Sequence, residues 1–465
     1  MRFTFGPKHL AEMFGILQKR NAASAAVALC GIAIVLFPAC ACARDYDVRD
    51  FGARGDGTTK NTEAIQRAIN TCSAAGGGRV VLEGGRYITG TILLKDGVDL
   101  HLDVTGTLVG SPDWRDWRDQ PDSRHLNMPM CPRRRNAALI FADEAKGVAI
   151  TGRGRIDANG RNFVEPVPDY REGLRYRRIY GVDKSPPRAV LFAGCSDVTV
   201  TDVTLNNLPA GWGFWVHDCD RVRFDRVNIL TPVDYPNNDG IHVNCSRDVT
   251  ISNCIIETGD DCIIVRANSA SLKENRTCER VCVVNCSLRT YANGIRIAWL
   301  NDGVIRDCVF SNIVINRSAN GIGIVLPAWS SRENIPDQGR EATLVENLSF
   351  SNIVMDRMNA RPVDISIAAS SGTRCAAIRN IRFSNLICRG LEFPRLVGRE
   401  GNMIEDVAFV DCTFTKVPDT TPGYENWRQD GWSYGLRCPG SPERVQLKNV
   451  TFERCVFKDN CQSKK

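Results

Sequence analysis

A short alternating pattern that recurs along the chain decides more than any other feature what it can fold into. It reads Asp197-Val198-Thr199-Val200, Arg221-Val222-Arg223-Phe224, Asp248-Val249-Thr250-Ile251 and Arg280-Val281-Cys282-Val283, and continues as Asn347-Leu348-Ser349-Phe350, Asn380-Ile381-Arg382-Phe383, Asp406-Val407-Ala408-Phe409 and Asn449-Val450-Thr451-Phe452. Val148 and Val304 head two further copies. The steps from Val198 to Val222, Val249, Val281 and Val304 are 24, 27, 32 and 23 residues, and 44 separate Val304 from Leu348, which fits two coils or one coil with an insertion. Period-2 alternation at such intervals, without helical periodicity, predicts a solenoid with one coil per repeat. No coil buries its inward valines and isoleucines alone, so coils stack with strands about 4.8 Å apart. The predicted fold is all-β: a single-stranded right-handed parallel β-helix, one elongated domain over residues 44–465.

One segment departs from alternation. From Thr62 to Cys72, the residues Ala64, Ile65, Ala68 and Ile69 fall at helical spacing before Gly76-Gly77-Gly78, which predicts a short N-terminal helix capping the open end of the solenoid. Trp114 to Arg135, Arg161 to Arg188 and Thr415 to Arg444 break the rhythm and are expected to be loops walling a groove. The last contains Trp427, Trp432 and Tyr434.

Residues 1–43 combine Lys8, Lys19 and Arg20 with an apolar run from Ala22 to Ala39 and the small residues Ala41, Cys42 and Ala43. This reads as a signal peptide cleaved near Ala43, hence a secreted or periplasmic protein with no stable membrane span; a membrane anchor, or a lipoprotein-like site at Cys40, is the rival. The formal charge of +6 is small and dispersed, which argues against nucleic acid as partner and leaves acidic substrates open. Five histidines and no C-x-x-C or H-E-x-x-H predict no metal centre and no cofactor. Of 20 cysteines, Cys219, Cys245, Cys254, Cys286, Cys308, Cys412 and Cys455 recur at one strand-to-turn place and are read as buried thiols. Cys278, Cys282 and Cys286 make a poor metal cluster in a strand-rich segment, and disulfides at Cys438 or Cys461 are permitted by export.

Two acidic segments lie about one coil apart: Pro236-Asn237-Asn238-Asp239-Gly240 and Gly259-Asp260-Asp261, with 21 residues from Asp239 to Asp260. Residues one coil apart stack, so three carboxylates converge, and crowding raises the proton affinity of at least one. A proton donor and a water-activating base can then coexist, as inverting glycoside hydrolysis requires, with carboxyl groups about 6.5–9.5 Å apart. Solvated turn acids or a Ca²⁺ site are the alternatives on spacing alone.

Asp50-Phe51-Gly52-Ala53 with Gly55-Asp56-Gly57, the Gly76-Gly77-Gly78 strand, Gly152-Arg153-Gly154-Arg155-Ile156-Asp157, Asn237-Asn238-Asp239-Gly240 and Gly259-Asp260-Asp261 together resemble glycoside hydrolase family 28, the polygalacturonases, over residues 46–330. The resemblance implies a right-handed β-helix with Asp260 as general acid and Asp239 and Asp261 holding and activating a water. It also exposes two departures: Asn293 stands where the family's Gly-His-Gly histidine is expected, and Asn320-Gly321-Ile322-Gly323-Ile324 replaces its Arg-Ile-Lys coil. Arg296 and Arg266 lie in the same columns and are candidates for a substitute carboxylate contact. Asn237, Asn293, Trp212 and His242 complete the substrate-binding candidates, with a groove role for one of Trp212 and Trp215, and His217 read as structural. Arg171, Arg175, Arg177 and Arg178 either attract an anionic polysaccharide or form a solvated loop face. The expected function is an exported, monomeric, inverting hydrolase of a pectic or related acidic polysaccharide. A Ca²⁺-dependent polysaccharide lyase and a non-catalytic carbohydrate-binding β-helix are its competitors.

Overall fold

The computed structural model describes residues 44–127, 136–171, 174–181, 184–299, 302–326, 341–367, 375–399, 403–422 and 447–461. The expected signal segment 1–43, Trp427, Trp432, Tyr434 and Cys438 lie outside them. Within them, parallel strands pair in successive coils on three faces. On one face Val198 is level with Val222, Val249 and Val281, as the repeat predicts. The next partner is not Val304: Cys282 pairs with Val309, which puts Val281 level with Cys308 and makes the step 27 residues. Val304 instead meets Leu344 one coil on, and Cys308 meets Leu348. The long step is therefore one coil with an insertion, not two coils.

The β-branched and aromatic inward residues form a continuous core from Tyr46 to Phe414. In its C-terminal part Phe310, Phe350, Phe383, Phe409 and Phe452 stack with centroids 4.8, 4.9, 4.6 and 4.7 Å apart. The coil spacing sets this interval, because each ring repeats with its strand. Replacing Phe383, flanked on both sides, by Ala is expected to cost roughly 3–5 kcal/mol, read as a lower midpoint in denaturant titration; a change below 1 kcal/mol would show that the stack closes over the gap.

The turns explain why Asn, Asp and Arg precede each strand. Asp197, Arg221, Asp248, Arg280, Asp307, Asn347, Asn380, Asp406 and Asn449 all have positive φ, a left-handed conformation that Asn and Asp tolerate best. A second turn repeats this through Asn253, Asn285, Asn312, Asn352 and Asn385, joined side chain to side chain at 3.1–3.3 Å. The cysteines consequently occupy three kinds of turn rather than one: Cys308 follows the first, Cys254, Cys286, Cys412 and Cys455 the second, and Cys219 and Cys245 a third after the strands Trp212–His217 and Ile241–Asn244. No disulfide joins two described cysteines, and Cys461 is exposed.

Helix α1 (Thr62–Ala74) buries Ala64, Ile65, Ala68, Ile69 and Cys72, matching its predicted face. The segment expected to be a loop after Arg161 is instead an antiparallel hairpin, Val164–Arg171 with Leu174–Arg178. Its sequence lacks alternation because a small cluster of Val164, Ala210 and Tyr235, with Tyr176 against it, anchors it outside the main core. Trp117 is likewise no loop tip: it is buried edge-on to Phe163, 5.9 Å away, and its Nε1 donates to the Ser111 carbonyl at 3.0 Å.

Candidate active site

The site forms on one face, where the strands Trp212–His217, Ile241–Asn244, Ile263–Arg266 and Asn293–Ile297 run in parallel register. Ile241 pairs with Ile263 and Ile263 with Ile295. Two residues back along that register, Asp239, Asp261 and Asn293 form a column. Asp239 thus stacks on Asp261 rather than on Asp260, the neighbour suggested by counting 21 residues.

Oxygens of Asp239, Asp260 and Asp261 lie within 4.8 Å of one another, and all three residues are buried. This is closer than the about 6.5–9.5 Å of a lone acid–base pair spanned by water, because the register puts two of the three acids directly above one another. Two oxygens this close can share one water, since two hydrogen bonds of about 2.7 Å span up to roughly 5.4 Å.

Each acid is held. Asp260 accepts from Asn237 Nδ2 (3.1 Å) and from the Asp261 backbone N–H (3.0 Å). Asp261 accepts both the backbone N–H of Asn293 (2.9 Å) and its Nδ2 (2.6 Å) on one oxygen. Asn293 Oδ1 in turn accepts from Asn320 Nδ2 (3.0 Å), and Asn320 Oδ1 from the Arg361 N–H (3.3 Å). His242 Nδ1 is 3.9 Å from Asp239, and its ring packs 4.3 Å from that of Trp212.

The candidate substrate contacts therefore divide. Asn237 and Asn293 spend their amides on the acids themselves. Arg296 is 4% exposed, with Nη1 3.5 Å from Asp261 and its guanidinium carbon 3.7 Å above the Trp299 ring; its Nε and Nη2 are buried with no acceptor among the described residues. Gly323 is its in-register neighbour one coil on and has no side chain to compete for that space. Trp212 is partly exposed, whereas Trp215 is buried against Arg188, 4.0 Å away. Arg266 is not brought to the acids: its Nε and Nη2 donate to Asp302 at 2.7–2.9 Å. Burial pushes the fully enclosed Asp302 carboxyl up against the pull of that arginine, and Asp302 also accepts from the Trp299 backbone N–H (3.1 Å).

Sequence reasoning missed Trp299, the contact of Arg178 with Asn237 and that of Asn320 with Asn293. Trp299, three residues after Arg296, was the one visible signal; Arg178 reaches Asn237 across 59 residues, which no local pattern reveals. Of the other hairpin arginines, Arg177 pairs with Glu165 (2.8 Å), and the side chains of Arg171 and Arg175 lie outside the described residues.

His217 is structural, as expected. It is fully buried, its Nδ1 accepts from Asn244 Nδ2 (2.7 Å), and its Nε2 lies 3.2 Å from the His125 carbonyl. Burial pushes its imidazole down to about 4. Between that value and the unfolded value of about 6.5, the unfolded chain binds the proton and the folded chain does not, so stability falls as pH drops through this window and is fully present above it. The expected loss is on the order of 3 kcal/mol. Thermal melts from pH 7 to 4 should show a decline that shrinks in His217→Gln; an equal decline in both would assign it to other groups.

Comparison with known proteins agrees with this architecture. Residues 132–392 match the family model described as glycosyl hydrolases family 28, and residues 46–113 match one described as rhamnogalacturonase A/epimerase, pectate lyase-like. A probable polygalacturonase of Arabidopsis thaliana is 27% identical over 337 residues, covering 66% of this chain and 67% of its own. A polygalacturonase of Persea americana is 25% identical over 371 residues, 74% of each. Among solved structures, the family 28 exopolygalacturonase of Yersinia enterocolitica superposes with TM-score 0.64 at 19% identity, over 91% of this chain and 79% of that one. The exopolygalacturonase of Thermotoga maritima gives 0.61 at 20%, over 89% and 92%; these two likenesses concern the fold. With more than half its length matched by the family model on a β-helix carrying the three converging acids, the chain belongs to glycosyl hydrolases family 28, enzymes that hydrolyse O-glycosidic bonds.

Proposed function

We propose that this chain is an exported inverting hydrolase of an acidic pectic polysaccharide, with residues 1–43 removed and residues 44–465 as the working domain. The observation that carries the reading is the buried triad of Asp239, Asp260 and Asp261, with oxygens within 4.8 Å. Asp260 donates the proton to the leaving oxygen, and Asp239 and Asp261 together hold and deprotonate the attacking water. Asn293 takes over the orientation of Asp261 at the place where the family histidine is expected. Arg296 supplies the fork for a substrate carboxylate, and Trp212 a stacking face. The relatives' names as polygalacturonases support a pectic substrate. Among the described residues no helix is long and apolar enough to cross a membrane.

The test is turnover on a panel of pectic polysaccharides, scored by new reducing ends, by ultraviolet absorbance and by the anomeric configuration of the first-formed product in proton NMR. Reducing ends without unsaturation, opposite anomeric configuration and indifference to a chelator are expected. Unsaturated product lost on chelation would make it a lyase, and a retained configuration would make one carboxylate a nucleophile, as the short oxygen spacing also permits. The missing Arg-Ile-Lys favours a second reading, carbohydrate binding without cleavage. Binding with no turnover anywhere on the panel would establish it.

A further inference from the structure

Among the described residues, Arg178 of the hairpin outside the solenoid reaches Asn237, which in turn holds Asp260. Arg178, on the hairpin's second strand, donates from Nε to the Ala210 carbonyl (2.9 Å) and from Nη2 to Asn237 Oδ1 (2.7 Å). Asn237 donates from Nδ2 to Asp260 Oδ2 (3.1 Å). A carboxamide has one accepting and one donating edge, so once the guanidinium holds the oxygen, only the NH₂ edge can face Asp260. The footing of this contact is independent of the main core. Val164, Ala210 and Tyr235 are buried together, Tyr176 and Tyr235 pack with ring centroids 4.8 Å apart, and Arg161 lies 5.0 Å over Tyr176. Tyr235 and Asn237 share the segment leading into Asp239, and Asn237 itself has φ 54, a conformation its side chain tolerates. The hairpin and this segment are thus joined at both a ring pair and a guanidinium.

We propose that Arg178 is a positioning residue for Asp260, acting through the Asn237 amide. With Arg178 in place, Asp260 is fixed by two donors, Asn237 Nδ2 on one oxygen and the Asp261 N–H on the other, and the carboxyl plane is set toward the leaving group. Without Arg178 the amide is free to turn over and present its oxygen to the carboxyl, which misdirects the proton that Asp260 carries. This rests on the reading of Asp260 as the proton donor. It makes the hairpin part of the catalytic apparatus through the Asn237 amide.

The experiment compares full-length wild type, Arg178→Ala, Arg178→Lys, Asn237→Ala and the Arg178→Ala/Asn237→Ala double variant on polygalacturonate oligomers, alongside Asp260→Asn. Arg178→Ala is expected to lower kcat by about 10-fold with KM within about 2-fold. Lysine, which can still donate to Asn237 Oδ1, should recover much of the loss. The double variant should be no worse than Asn237→Ala alone, as expected of residues acting in series. Additive losses, a defect confined to KM, or no recovery with lysine would overturn the proposal. Val164→Ala, which loosens the hairpin while keeping the guanidinium, separates docking from positioning: a loss equal to that of Arg178→Ala would also overturn it. If Arg178→Ala does not fold, the lysine variant and Asn237→Ala carry the same comparison. An inactive Asp260→Asn beside an unaffected Arg178→Ala would sink this proposal alone, whereas an active Asp260→Asn, or silence of the wild type, would sink the underlying reading with it.

Discussion

Asp260→Asn is expected to lower kcat by roughly 10²–10⁴-fold, the usual worth of a positioned general acid, while KM stays close to that of the wild type. The substitution keeps the size of the side chain. It also keeps one of the two hydrogen bonds described above, since an amide oxygen can still accept from either Asn237 Nδ2 or the Asp261 N–H. The fold should therefore survive, which a thermal melt checks. What is lost is the proton for the leaving oxygen, and this defines a second arm. An aryl glycoside whose leaving group departs without protonation should be cleaved by Asp260→Asn far less impaired than the natural substrate. Asp239→Asn and Asp261→Asn, which disable the water, should stay poor on both. Equal impairment of all three variants on the aryl glycoside would remove Asp260 from the role of acid. Full activity of Asp260→Asn on polysaccharide would dismiss the triad as the reacting groups.

How far this site could be read in advance depends on which contacts share a register. Asp239 and Asp261 precede strands whose inward residues, Ile241 and Ile263, repeat at a clean coil interval, so the convergence was legible. The exact neighbour was not, because turn lengths vary and counting alone cannot choose between Asp260 and Asp261. The same ambiguity misplaced Val304, where the pairing of Cys282 with Val309 and of Val283 with Phe310 locates the true register. Contacts made outside the ladder were hidden altogether. Arg266 finds Asp302 across 36 residues and an irregular loop, which takes it from the list of substrate contacts and makes it part of the wall. Arg178 belongs to a hairpin held by a few aromatic and aliphatic side chains, too small a cluster to imprint alternation on a segment rich in proline and arginine. Asn293 was legible as a departure from the family pattern, but its consequence was not. Its amide occupies Asp261 and its oxygen takes Asn320, so the column orders itself without an imidazole.

Arg296→Ala is expected to lower kcat/KM on a charged pectic oligosaccharide by roughly 30- to 150-fold, the about 2–3 kcal/mol of hydrogen bonds to a charged group. The expectation follows from what the side chain lacks. Its Nε and Nη2 are buried with no acceptor among the described residues while its face is fixed on Trp299, and a guanidinium so enclosed is stabilised by a planar anion that takes both N–H groups at once. A substrate carboxylate has that shape. Arg296→Lys retains the charge without the fork and should fall between wild type and alanine. Because Nη1 also lies 3.5 Å from Asp261, loss of activity alone does not identify the target of this arginine. The methyl-esterified oligosaccharide does: having no carboxylate to lose, it should be processed within about 3-fold by wild type and Arg296→Ala. An equal loss on ester and acid would instead assign Arg296 to the electrostatics of Asp261, and substrate choice would then have to come from elsewhere on the groove.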